Sequence, residues 1–232
     1  MSAIFLLLLG ACHLPVKNGC SLKPEPPALG ACLGGEGLAW NGYEGAHLSL
    51  AGTVSSVGQG GGVDDCQGFG SDPGSDAVEL GLALDDGGSA VLALALGGEA
   101  SPVAEGEALT LRLDCVLAEF GPAECAVTLS TAEGTRLVLA VSGSEEGLVT
   151  PEGVEVRRGE PICAEADECG DWSAYDLLVR ADGEEVTVPY AGSAEVGGWR
   201  VVHGGAEHAL EGGGGGCPDW FVAHDAVLFL AH

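Results

Sequence analysis

Basic residues are scarce in this sequence. It holds 8 Lys and Arg against 35 Asp and Glu in 232 residues, a formal net charge of −27 at pH 7. Nucleic acid binding needs clustered Lys and Arg that displace counterions from phosphates, and binding to an anionic bilayer surface needs a polybasic face. The charge therefore argues against a nucleic acid partner and against membrane binding through an acidic folded domain.

Short catalytic motifs are absent as well. The sequence contains no Gly-x-Ser-x-Gly, no His-Glu-x-x-His and no Gly-x-x-x-x-Gly-Lys, which are the motifs of serine hydrolases, zinc proteases and phosphate-binding loops. The Gly-rich segments 58–62 and 212–216 lack the lysine and the strand-to-helix setting of a phosphate site, so we interpret them as loops. We predict no catalytic residue and no cofactor.

An apolar run near the N-terminus ends at a cysteine. Residues 4–9 are all apolar, and small residues precede the cysteine in Leu9-Gly10-Ala11-Cys12. The run is too short for a transmembrane helix, which takes about 20 residues, so a cleaved signal peptide explains it better than a membrane span. The alternative is a buried N-terminal strand.

The motif Leu9-Gly10-Ala11-Cys12 resembles the lipobox of bacterial lipoproteins, in which a signal peptidase cuts before the cysteine and the cysteine is then acylated. The resemblance implies a signal peptide over residues 1–11 and a lipid anchor at Cys12. His13 follows the cysteine in place of Asp, which by the enterobacterial sorting pattern implies the outer membrane, facing the periplasm or the cell surface. Because Met1-Ser2-Ala3 carries no Lys or Arg, we expect the native start to lie upstream.

The wider composition is similar to that of uncharacterised cysteine-rich lipoproteins from high-GC bacteria such as myxobacteria. Isoleucine occurs only at Ile4 and Ile162 and asparagine only at Asn18 and Asn41, while glycine occurs 40 times. This resemblance implies a cell-envelope location and carries no activity with it.

The cysteine count becomes even if Cys12 carries lipid. Of the 9 cysteines, the other eight would then form four disulfides in an exported protein, and the absence of Cys-x-x-Cys argues against a redox site or a zinc ribbon. Local pairing is expected for Cys115 with Cys125 and for Cys163 with Cys169, although Cys169 with Cys217 is an alternative. The remaining pairings stay open and involve Cys20, Cys32, Cys66 and Cys217.

The pattern from residue 36 onward predicts an all-β protein. Prolines and glycines crowd residues 12–35, for which we predict an irregular tether, whereas period-two alternation with turns every 8 to 12 residues or so follows. We predict two small disulfide-stabilised β-sandwich or barrel units, at 36–150 and 151–232. The strand order of the first resembles an OB-type barrel.

Individual strands can be placed from this alternation. Val78 to Leu84 and Ala90 to Leu96 flank Asp85-Asp86-Gly87-Gly88 and predict a hairpin with leucines on one face. The other predicted strands are 48–57, 109–114, 126–130, 136–141, 174–180, 185–190, 198–203 and 220–230.

Three further patterns have both a structural and a functional interpretation. Cys169-Gly170-Asp171-Trp172 recurs as Cys217-Pro218-Asp219-Trp220, and we favour a strand-start motif with a core tryptophan over a sugar-stacking pair. Three histidines with neighbouring acidic residues could form a metal site, but a scatter of histidines over the surface explains this pattern equally well. The residues are His203, His208 and His224, with Glu207 and Asp225. Acidic loops offer weak calcium candidates, which we interpret as solvated turn residues: Asp64, Asp65, Asp72 and Asp76, and Glu165, Asp167, Glu168 and Asp171.

The sequence thus favours a lipid-anchored cell-envelope protein that acts as a binding or structural interaction module, with an envelope protein or a polysaccharide as partner. The alternative is an exported hydrolase whose acid and base are carboxylates. That mechanism requires two carboxylates whose pKa values are separated by burial, and no local motif identifies such a pair.

Overall fold

The computed structural model describes residues 26–35, 46–60, 67–70, 76–116, 124–142, 148–150, 152–167, 170–204 and 225–231. Within these ranges the regular structure is β-strand apart from a 3-10 position at Asp76, so the all-β prediction is confirmed. The strands are β1 Leu29–Gly34, β2 Ala46–Gly60, β3 Gln67–Gly70, β4 Ala77–Leu84, β5 Ser89–Leu96, β6 Ala108–Val116, β7 Glu124–Thr131, β8 Gly134–Ser142, β9 Leu148–Val149, β10 Glu155–Asp167, β11 Gly170–Ala181, β12 Glu184–Val188, β13 Ser193–Val196, β14 Trp199–His203 and β15 Asp225–Ala231.

The strands form two antiparallel sheets. The larger has eleven strands in the order β13-β14-β15-β8-β7-β6-β2-β4-β5-β1-β3, and the smaller has four in the order β12-β11-β10-β9. The predicted hairpin is β4 and β5, which pair from Val78 with Leu94 to Ala83 with Ser89. The eleven-stranded order is larger than the five-stranded OB-type barrel that the first unit resembles in sequence, because β13, β14 and β15 continue the sheet beyond β8 and β1 and β3 continue it beyond β5.

The larger sheet folds back on itself around a leucine-rich core. Residues from β1, β4 and β5 share this core with residues from β8, β14 and β15, for example Leu29, Leu80 and Leu94 with Leu139 and Leu228. The leucines that alternation assigned to the inner face of the β4–β5 hairpin therefore lie in the core, as predicted.

A second core lies on the other side of β8, β14 and β15. Val138 of β8 and Val227 and Phe229 of β15 pack there against the smaller sheet, which contributes Leu177 and Val179. Strands buried on both faces appear in the sequence as continuous apolar runs, and residues 137–141 and 226–230 are such runs. The described strands therefore stack in three layers, with β8, β15 and β14 in the middle.

The prediction of an irregular tether is wrong for its last residues. Leu29–Gly34 form β1, all six residues are buried, and the strand pairs with β5 on one side and β3 on the other. The glycines that suggested a linker alternate with Leu29, Ala31 and Leu33, so the period-two pattern was present but hidden by small residues. The part of the tether from Cys12 to Glu25 lies outside the described residues.

The two predicted units both contribute strands to the larger sheet. β14 and β15 come from the second predicted unit, yet they extend the larger sheet next to β8 and contribute to both cores. The boundary near residue 150 itself stays a prediction. Within the described ranges, no helix has the length and apolar character needed to cross a bilayer.

Candidate functional site

The first described residues before β1 make a contact that we call the tether junction, formed by Pro27, Ala28 and Leu29 against Gly97 and Gly204. The Gly97 amide donates a hydrogen bond to the Ala28 carbonyl at 3.0 Å. Gly97 has φ +64°, and a Cβ there would lie 3.0 Å from Pro27 Cβ. Glycine suits this position because it adopts this φ without strain and because a side chain would contact the proline closely.

Gly204 forms the other wall of the tether junction. A Cβ on Gly204 would lie 2.7 Å from Leu29 Cδ1 and 3.2 Å from Ala226 Cβ, and the Gly204 amide donates to the Ala226 carbonyl at 2.8 Å. The fully buried Leu29 side chain therefore packs directly over the Gly204 backbone. Residues 27–29 are thereby held in place between the end of β5 and the middle layer.

The tether junction can be tested by the substitution Gly204→Val. The new side chain would overlap Leu29, and overpacking a core contact costs about 1 to 3 kcal/mol, so we expect the free energy of unfolding to fall by that amount in denaturant titrations. Gly58→Val is the matched control, since nothing lies within 4 Å of a Cβ there. Equal stability of the Gly204 variant and the parent would contradict the packing of Leu29 on Gly204.

An ion-pair network lies between the β5–β6 connection and β14. Arg200 Nε lies 2.8 Å from Glu99 Oε1 and Arg200 Nη1 lies 3.2 Å from Glu195 Oε1. The hydrogen bond to Glu99, with a further one to Glu195, raises the pKa of Arg200 above its usual value. Because all three side chains are partly solvated, we expect a modest contribution to stability. A pair separated by 101 residues has no local sequence signal.

The predicted disulfide between Cys115 and Cys125 is present. The two cysteines are cross-strand partners in β6 and β7, with Cα atoms 4.1 Å apart. Cys32 in β1 is also disulfide-bonded. Cys163 lies in β10, while the other cysteines lie outside the described residues: Cys12, Cys20, Cys66, Cys169 and Cys217.

His203 lies in a buried aromatic cluster. Its side chain is fully buried, its ring is stacked on that of Tyr175 at 6.4 Å between centroids, and the edge contact with Tyr190 spans 5.6 Å. The guanidinium of Arg158 lies over the Tyr175 ring, with Cζ 4.9 Å from the ring centroid. Aromatic packing thus accounts for the position of His203.

The other residues of the histidine metal hypothesis cannot be placed beside it. His208, His224 and Glu207 lie outside the described residues, and Asp225 begins β15. No group of three or more His, Cys, Asp or Glu in the described ranges could hold a metal ion.

Three of the eight calcium candidates lie on the strands of the β10–β11 hairpin. Glu165 and Asp167 belong to β10 and Asp171 to β11, and the backbone register pairs Glu165 with Trp172 and Asp171 with Ala166. Asp76 directly precedes β4, while Asp64, Asp65, Asp72 and Glu168 lie outside the described residues. In the first copy of the recurring motif, residues 170–172 are the first three residues of β11. The second copy, at 217–220, lies outside the described residues. The solvated-turn interpretation of these carboxylates stays a prediction.

Carboxylates whose side chains the structure describes are exposed or half-buried. The buried polar and charged residues in this part of the chain are Thr128, Thr150 and His203, so it does not contain the buried carboxylate pair that the hydrolase hypothesis requires. Comparison with protein-family models, with curated proteins and with solved structures finds no match.

Proposed function

We propose that the protein is a lipid-anchored component of the bacterial cell envelope that acts as a binding or structural interaction module. The observation that carries the proposal is the combination of the lipobox-like Leu9-Gly10-Ala11-Cys12 with disulfide bonds in the folded domain, at Cys115–Cys125 and at Cys32. Disulfides persist in exported proteins and are rare in the cytosol. Signal and disulfides therefore independently favour export.

The tether junction supports an anchor at Cys12. Residues 27–29 are fixed against the domain, so the chain from Cys12 to Pro26 can span at most about 50 Å when fully extended. That length lets an acylated Cys12 reach a bilayer while the folded domain stays in water. Prolines at positions 15 and 24 are consistent with the tether that the sequence predicts.

The exposed face of β2 and β6 supports an interaction role. Exposed hydroxyl and charged side chains line neighbouring positions of this face. Within it, Asp114 pairs with both His47 and Arg112. Such a polar, solvated sheet face suits an envelope protein or a polysaccharide as partner; its residues include His47, Ser49, Thr53, Thr110, Arg112 and Asp114.

Processing is tested by the substitution Cys12→Ala in the native host. The mature parent should lack residues 1–11 and gain the mass of acyl chains on Cys12. The variant should yield no acylated protein in the membrane fraction, because no thiol is left to acylate. Intact mass spectrometry of the membrane-extracted protein measures both.

The matched control is Ser21→Ala, which changes a small residue in the same segment and should leave the lipid-bearing mass shift intact. A parent protein that is water-soluble and carries an unmodified Cys12 would refute the proposal.

A further inference from the structure

The end of β2 projects beyond its neighbour β6. Pairing with β6 ends at Thr53, and the backbone of Val54 bonds to the chain just before β6. The register with β4 shifts between Val54 and Ser56, so Ser55 forms a β-bulge, which bends a strand and can end its pairing. Residues 55–60 therefore pair with β4 on one side and with no strand of the described ranges on the other.

This second side of residues 55–60, which we call the β2 edge, is solvated. Residues 55–59 are all exposed, and nothing lies within 4 Å of a Cβ built on Gly58. Natural proteins protect open strand edges with charged residues or prolines, yet residues 55–60 contain neither. The β2 edge thus presents about 20 Å of strand backbone to which another strand can be added.

Val57 gives the β2 edge an apolar contact. It pairs with Leu80 of β4, so the two side chains lie on the same face, and Leu80 is fully buried in the leucine-rich core. Val57 is nevertheless 38% exposed, and among the described residues the only other exposed large apolar side chain is Val149. An added strand with an apolar residue beside Val57 would cover it and extend the core.

Carboxylates lie at both ends of the β2 edge. At one end Glu105 is exposed and precedes Gly106, whose amide donates to the Val54 carbonyl at 2.9 Å. At the other end the Glu79 carboxylate lies against the Gly60 backbone. Complementary charge across an interface selects partners and suppresses wrong ones, so these carboxylates favour a basic strand. A second copy would bring the same carboxylates and a net charge of −27, which disfavours self-pairing.

We infer that the β2 edge binds an extended segment of a partner protein by strand addition, and that this segment places an apolar residue beside Val57 and Lys or Arg near the carboxylates. The inference deepens the proposed interaction role and rests on it, but not on the lipid anchor. Main-chain hydrogen bonds provide affinity in this mode of recognition, and the side chains provide specificity.

A labelled synthetic peptide, in which valine alternates with threonine between terminal lysines, tests the β2 edge. Fluorescence anisotropy measures its binding to the full chain, and hydrogen exchange followed by mass spectrometry locates it. We expect binding and slower amide exchange in residues 55–60. Methylation of the peptide's backbone nitrogens should weaken binding roughly tenfold or more, because several main-chain hydrogen bonds are lost. Glutamates in place of the lysines should also weaken it, most at low salt.

Val57→Lys removes the apolar contact and places a positive charge on the β2 edge. We expect no detectable binding of the lysine-ended peptide at concentrations that saturate the parent. Val149→Lys is the matched control, since it makes the same change at an exposed valine of the smaller sheet and should leave binding within about twofold. The methylated peptide is tested on the parent, so it decides the question even if Val57→Lys lowers the melting temperature.

Absence of binding at millimolar peptide, unchanged exchange in residues 55–60, or equal binding of the methylated peptide would overturn the inference. A parent that dimerises with rising concentration and thereby slows its own exchange in residues 55–60 would assign the β2 edge to a second copy instead. Failure of the proposed function would look different. A parent without acyl mass on Cys12 refutes the anchor alone, whereas a protein or polysaccharide that slows exchange in residues 47–53 but not in 55–60 refutes the strand addition alone.

Discussion

Reduction of the mature protein should lower its free energy of unfolding by several kcal/mol. The bond between Cys115 and Cys125 has a sequence separation of 10, and a loop of that size restricts the unfolded chain by about 2.7 kcal/mol in the chain-entropy relation. The bond at Cys32 adds to this amount, since it ties down β1. Urea titration with and without reductant measures the difference.

The double substitution Cys115→Ala with Cys125→Ala isolates one bond. It should lose about 2.7 kcal/mol relative to the parent and should remain sensitive to reductant through the bond at Cys32.

Thiol labelling of the parent in denaturant without reductant should find none of the eight cysteines after Cys12 free. Two or more labelled thiols in this unreduced protein would contradict complete pairing.

Local signals account for the parts of the structure that were predictable. The β4–β5 hairpin has alternating leucines and an Asp-Gly turn within about twenty residues, and the loop between Cys115 and Cys125 closes between neighbouring strands. Alternation depends only on the strand's own period of two. Features of this kind can be derived without knowledge of the rest of the chain.

Features that depend on distant segments were not predictable. β1 was assigned to the tether because its glycines resemble a linker, and only its pairing with both β5 and β3 makes it a strand. The ion pair of Arg200 with Glu99 and the packing of Leu29 on Gly204 join segments more than 100 residues apart. His203 was interpreted as a metal ligand or a surface histidine, whereas its ring is buried against Tyr175 of β11 and Tyr190 of the β12–β13 connection.

The shared middle layer predicts that the two cores unfold together, and Phe229→Ala tests this. Phe229 is fully buried in the core against the smaller sheet, with its ring edge-on to Trp199 at 6.4 Å between centroids. Truncating a buried phenylalanine costs about 3 to 5 kcal/mol. Because β15 also carries Leu228 and Leu230 into the leucine-rich core, loosening one face of this strand should destabilise both cores.

Calorimetry should therefore show one transition that shifts to a lower temperature as a whole, not two transitions of which one shifts. Leu228→Ala, on the opposite face of β15, should give the same single transition with a loss of about 2 to 5 kcal/mol. Val149→Ala is the control, since Val149 is 67% exposed at the edge of the smaller sheet and surface changes stay within about 0.5 kcal/mol. If Phe229→Ala instead split the melt into two transitions, the smaller sheet would be an independently folding unit, because the strands of the middle layer would then hold the leucine-rich core without it.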